Sequence, residues 1–117
     1  FINLQYKDFE DDLVKVKEEL GVTVHNFDDL DQWNNIHDVT ALCAALDMVI
    51  TTKITVIYMS AGVGTLTKVV SWKQSSWNTI VNNPVGPSID IYTRNTWEPW
   101  DNVFKLINED IGKFIFD

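Results

Sequence analysis

The sequence predicts a doubly wound α/β fold. Short β-branched runs alternate with helix-patterned stretches along the whole chain. Two of those runs, MVIT and TKVVSW, hold adjacent apolar β-branched residues, as in strands covered on both faces by crossover helices. Strands joined through helices pair in parallel by right-handed crossovers, so the expected core is a Rossmann-like parallel sheet of about five strands with helices on both faces. A length of 117 residues suits one domain with one core.

FINLQ is the first expected strand. From Asp8 to Leu20 the residues Phe9, Leu13, Val16 and Leu20 fall at helical spacing, and Gly21 closes the helix. VTVHNF alternates as a second strand; after an Asp/Asn-rich loop, VTALCAAL reads as a buried helix capped by Asp38. MVIT is the third strand, ITVIYMSAG a helix, and TKVVSW the fourth strand. Residues 73–87 are loop-like, with Gly86 and two prolines, and SIDIY is the fifth strand. From Trp97 on, Trp100, Val103, Phe104, Ile107 and Ile111 share one helical face, with Pro99 suited to the first turn.

Composition narrows the function. With 45% apolar residues and five tryptophans the chain can bury a core. A net charge of −8 and no basic stripe argue against a nucleic-acid partner. No apolar run approaches the roughly 20 residues of a membrane span. The single cysteine, Cys43, lies within ALCAAL as a buried thiol, which fits a reducing, cytoplasmic setting. The chain opens at Phe1, already strand-like, which suggests a fragment of a larger protein.

In doubly wound sheets ligands sit at the carboxyl ends of the strands, against helix N-termini that favour anions. Thr51, Thr52 and Lys53 fall where the third strand meets the next helix, so hydroxyls, amides and an ammonium could converge there on a diphosphate; a capped helix beside an exposed lysine fits the same pattern. Gly62 and Gly64 close a helix rather than open one and form no dinucleotide fingerprint. Zinc spacing, a GxxxxGK[ST] loop and a GxSxG elbow are all lacking, so neither a metal nor a serine nucleophile is expected, and no cofactor is implied. His25 and His37 fall in edge loops; Asp29 or Asp31 could meet a ribose hydroxyl; Trp72 and Trp77 flank a loop where a base or sugar could stack.

The segments INLQY, NNIHDVTALCAALDMVIT, AGVGTLTKVVSW, SSWNTI, PSIDIY and WEPWDNV resemble, in order and spacing, the carboxyl-terminal domain of heptosyltransferase-like glycosyltransferase-B enzymes. The version most alike is the one attached to tetratricopeptide repeats in bacterial proteins. The resemblance implies a domain that binds a nucleotide-diphosphate sugar while a separate amino-terminal domain brings the acceptor. It implies a site made of Gln5, Tyr6 and Lys7, the turn Thr51, Thr52, Lys53, Ile54 and Thr55, and Trp72 with Gln74. That family commonly carries an Asp-Thr pair after the third strand and a His four residues on; here those positions are Lys53, Ile54 and Tyr58. The departure leaves the catalytic residues unassigned and favours donor binding without transfer by this chain alone. The rival expectation is a non-catalytic interaction or assembly domain whose donor site has decayed.

Overall fold

A computed structural model describes residues 1–72 and 87–116. The chain divides into two compact units, Phe1–Leu42 and Cys43–Asp117.

The first unit holds helix α1 (Glu10–Leu20) and most of helix α2 (Ile36–Ala45). Three acidic residues open α1, where the helix dipole favours them, and Gly21 ends it in the left-handed region at φ 66°. None of its residues is buried. Helix α2 is capped one turn earlier than expected: the side-chain oxygen of Asn35 accepts the Asp38 N–H at 3.1 Å, and the Asp38 carboxylate accepts the Asn35 amide at 2.6 Å. Asp38 therefore assists the cap from inside the helix.

FINLQ and VTVHNF do not form strands. They meet at one parallel bridge, Ile2 with His25, made by Asn3 N–H to His25 O at 2.8 Å and His25 N–H to Phe1 O at 2.9 Å. The ladder stops because the buried Asn3 side chain takes its place. Its oxygen accepts the Gln5 N–H at 3.0 Å, and its amide donates to Gln5 O at 2.9 Å and to Asn26 Oδ1 at 3.0 Å. A short polar side chain that satisfies the neighbouring backbone competes directly with strand pairing.

The second unit carries the sheet: β1 (Met48–Thr51), β2 (Leu66–Trp72) and β3 (Ile89–Arg94), all parallel in the order β1-β2-β3. The expected five-stranded doubly wound sheet is thus corrected to three strands in sequential order within a small α/β unit. Helices α3 (Val56–Gly62) and α4 (Asp101–Phe116) cover opposite faces. Val69 and Ile89 pack with Ile57 of α3, while Val70 packs with Val103 and Ile107 of α4, and successive strand residues point to opposite sides. Each such aliphatic side chain contributes about 1.5–3 kcal/mol by its burial.

A hydroxyl relay lies on the α3 face. Thr67 donates its one proton to Thr65 O at 2.9 Å, so in the 2.6 Å contact Ser60 is the donor to Thr67 Oγ1, and Thr65 Oγ1 donates to Cys43 O at 2.7 Å. The relay buries these hydroxyls without leaving them unpaired. Burial raises the Cys43 thiol above its ordinary pKa.

Two further boundaries differ. Helix α3 starts at Val56 rather than Ile54, because Ile54 N–H turns back to Thr52 O at 2.9 Å. Helix α4 starts at Asp101, and Phe104, expected on the inner face, is 53% exposed.

Candidate functional site

The carboxyl edge of the sheet gathers the end of β1 and the ends of β2 and β3. Register pairs Thr51 with Val69 and lets β2 run on until Trp72 pairs with Arg94. Beyond Thr51 the chain makes an exposed turn, with Thr52, Lys53, Ile54 and Thr55 all open to solvent. The Thr51 hydroxyl donates to Thr52 O at 3.1 Å. Thr55, not Thr51 or Thr52, sits at the α3 N-cap, and it makes no side-chain cap bond. The first amides of α3 bond back to carbonyls of the turn: Ile57 N–H to Ile54 O at 3.1 Å, Tyr58 N–H to Thr55 O at 3.0 Å and Met59 N–H to Thr55 O at 3.4 Å. The positions where the resembled family has its acid, hydroxyl and His are exposed, with Ile54 at 45% and Tyr58 at 56%.

On the α4 face of the same edge, Arg94 lies against a pair of indoles, its guanidinium carbon 4.1 Å from the ring centres of both Trp72 and Trp100. The rings themselves meet at 5.3 Å and 61°. Through Nη1 the same guanidinium donates to the carbonyls of Asn95, Thr96 and Glu98. The Glu98 carboxylate in turn accepts the backbone N–H and the side-chain amide of Asn95, at 3.2 and 2.7 Å. Arg94 thus binds the β3–α4 loop to the sheet edge by charge-assisted bonds and cation–π contact together. Sequence reasoning missed it. The signal was Asp90, Tyr92 and Arg94 at alternate positions of one strand, opposite Lys68 and Trp72 on the next.

Further down that face Lys68, almost wholly buried, pairs with Asp90 at 2.5 Å and lies 5.6 Å from the Tyr92 ring centre. Burial pulls the Lys68 ammonium down, but hydrogen bonds to Asp90 and Tyr92 outweigh it and leave the group above its ordinary pKa. Tyr92 is raised by burial and by its 2.5 Å bond to Asp110, and that same bond lowers Asp110. These groups tie α4 to β3.

Of the residues expected at the site, Thr51 to Thr55 and Trp72 share the sheet edge, while Gln74, Trp77 and the loop around them lie outside the described residues. Gln5, Tyr6 and Lys7 belong to the first unit. There Gln5 and Tyr6 line a hollow with Trp33 and Asp31, and Lys7 does not. Asp31 is lowered first by the Asn34 backbone N–H it accepts, and that same turn secures Trp33. Asp29 lies outside the hollow, and His25 and His37 are exposed. Among the described residues no cluster of His, Cys, Asp or Glu is placed to hold a metal, and no helix is long and apolar enough to cross a membrane.

Compared with known proteins, the chain is similar to Protein FlbA of Caulobacter vibrioides. The two are 34% identical over 103 residues, which is 86% of this chain and 17% of that protein. The chain therefore spans about a sixth of the length of that curated relative. No protein-family model matches, and no solved structure matches.

Proposed function

We propose that the chain is the nucleotide-diphosphate-sugar-binding half of a glycosyltransferase-like protein and does not transfer sugar on its own. The observation that carries the reading is the exposed Thr51–Thr55 turn at the carboxyl edge of a parallel sheet, the position at which α/β sheets take phosphorylated ligands. The resemblance to heptosyltransferase-like glycosyltransferase-B domains supplies the ligand class. Similarity to a small part of a much longer protein fits a module that works beside other segments, such as an acceptor-binding or tetratricopeptide-repeat region. In the full protein the diphosphate would leave from the anomeric carbon, with charge on the leaving group met by turn amides and Lys53.

A second reading rests on a different observation. The amides of Ile54 in the turn and of Ile57, Tyr58 and Met59 in the first turn of α3 are already engaged, which leaves fewer for a phosphate and favours an assembly domain with a decayed donor site. Titration of the chain with a panel of nucleoside diphosphates and their sugars, beside a transfer assay, separates the two. Binding with no turnover supports the donor half, absence of binding at millimolar ligand supports the assembly domain, and turnover by this chain alone overturns both.

A further inference from the structure

The first unit contains a hollow of about 190 Å³ lined by the aromatic side chains of Tyr6, Phe9, Phe27 and Trp33. Tyr6 and Trp33 meet edge to face at 4.7 Å and 61°, so the pair makes a corner rather than a closed stack. Both rings stay open to a ligand, with Tyr6 45% and Trp33 64% exposed. The corner is anchored through the backbone, because Asp31 accepts the Trp33 N–H at 3.1 Å and the Asn34 N–H at 3.0 Å.

The charge of the lining has one sign. Asp28 and Asp31 belong to it, and no Lys, Arg or His does. Asp31 uses both oxygens on its own turn, Oδ1 for those backbone N–H groups and Oδ2 for the Asn34 amide at 3.0 Å. These bonds hold its carboxyl below the ordinary value, so it keeps its charge at neutral pH. Asp28 accepts the Asn26 amide on Oδ1 at 2.7 Å, and Oδ2 is left for a ligand. Ring faces carry a negative quadrupole, so together with two carboxylates they attract a cation and repel a phosphate.

We propose that this hollow binds a quaternary ammonium group, a trimethylammonium carried by a small molecule such as choline or by a trimethylated lysine side chain. A primary ammonium brings N–H donors that aromatic walls leave unpaired, whereas a quaternary one has none to satisfy and presents methyl groups to the rings. The volume falls below the roughly 300–1,000 Å³ of sites for drug-sized ligands, and it suits such a headgroup rather than a nucleotide. Asp28 and Asp31 supply the opposite charge from one side of the corner. The proposal concerns the first unit alone, and its success or failure is independent of phosphate binding at Thr51–Thr55.

The test titrates the whole chain with choline, with its uncharged carbon isostere 3,3-dimethylbutan-1-ol and with ethanolamine, while the Trp33 indole N–H resonance is followed. Choline should saturate at a concentration at least about tenfold below either of the others. Acetylated trimethyllysine amide, run beside choline, distinguishes the two sources: tighter binding than choline assigns the site to a modified protein side chain, and weaker binding assigns it to a small molecule. Trp33→Ala should weaken choline at least about tenfold with the backbone spectrum outside the hollow unchanged. Asp28→Asn keeps an oxygen for Asn26, so it should weaken choline and leave the uncharged isostere unaffected. Equal binding of choline and its isostere, tighter binding of ethanolamine, native-like choline binding by Asp28→Asn, or no shift with millimolar choline or trimethyllysine amide overturns the proposal.

Discussion

The two units are built by different means. In Cys43–Asp117 three strands bury apolar side chains against helices on both faces, and the buried Ser60, Thr65, Thr67 and Lys68 are paired through hydroxyl bonds or the Lys68–Asp90 bond. In Phe1–Leu42 the helix α1 has no buried residue, one bridge stands where two strands were expected, and side-chain amides do the joining through Asn3, Gln5, Asn26 and Gln32. One alternating pattern of strand and helix thus yields a sheet where each strand buries apolar side chains against a covering helix. Where an amide side chain stands in the ladder, it yields a polar network.

Substitutions should separate these two modes. Ile89→Ala, in the core of the second unit, should cost about 2–5 kcal/mol in denaturant unfolding, whereas Val14→Ala on the exposed face of α1 should stay within about 0.5 kcal/mol; similar costs would erase the distinction. Asn3→Ala removes partners from Gln5 and Asn26 and should cost about 1–3 kcal/mol, read as faster amide exchange at Gln5 and His25 with β2 and β3 unchanged. Arg94→Lys keeps the charge but loses the planar contact with Trp72 and Trp100, so a loss of about 1–2 kcal/mol with an altered near-ultraviolet tryptophan signal is expected.

Acid should act more gently and on both units. Asp31 and Asp110 are held below the ordinary carboxylate value of 3.8 by the hydrogen bonds they accept. A depressed carboxylate stabilises the fold above its unfolded pKa, and this contribution is lost as pH falls through the folded value. Stability should therefore decline below about pH 4, and Asp110→Asn should flatten part of that decline in thermal melts taken across the acid range.

Much of this architecture could be read in advance. The apolar runs MVIT and TKVVSW, and SIDIY with its alternation, mark strands that form in place and in parallel. Gly21 marks the end of α1. FINLQ and VTVHNF carry the same β-branched signal, and what undoes them is where the Asn3 side chain turns, which periodicity does not encode. The carboxyl-edge turn at Thr51 was legible because it depends only on strand order. The Arg94 contact was not, since it needs Trp72 and Trp100, far apart in sequence, to close on one guanidinium.

The donor-binding reading is tested most directly by calorimetric titration of the chain and of Lys53→Ala and Lys53→Asp with nucleoside diphosphates at low and high salt. Lys53 is exposed, so its contribution to a phosphate contact should be about 0.2–1 kcal/mol, larger at low salt. The native chain should bind, alanine should weaken binding modestly, and aspartate should weaken it further by placing a carboxylate beside the phosphates. No binding by the native chain at millimolar ligand, or equal binding by all three at low salt, would contradict the donor-binding reading.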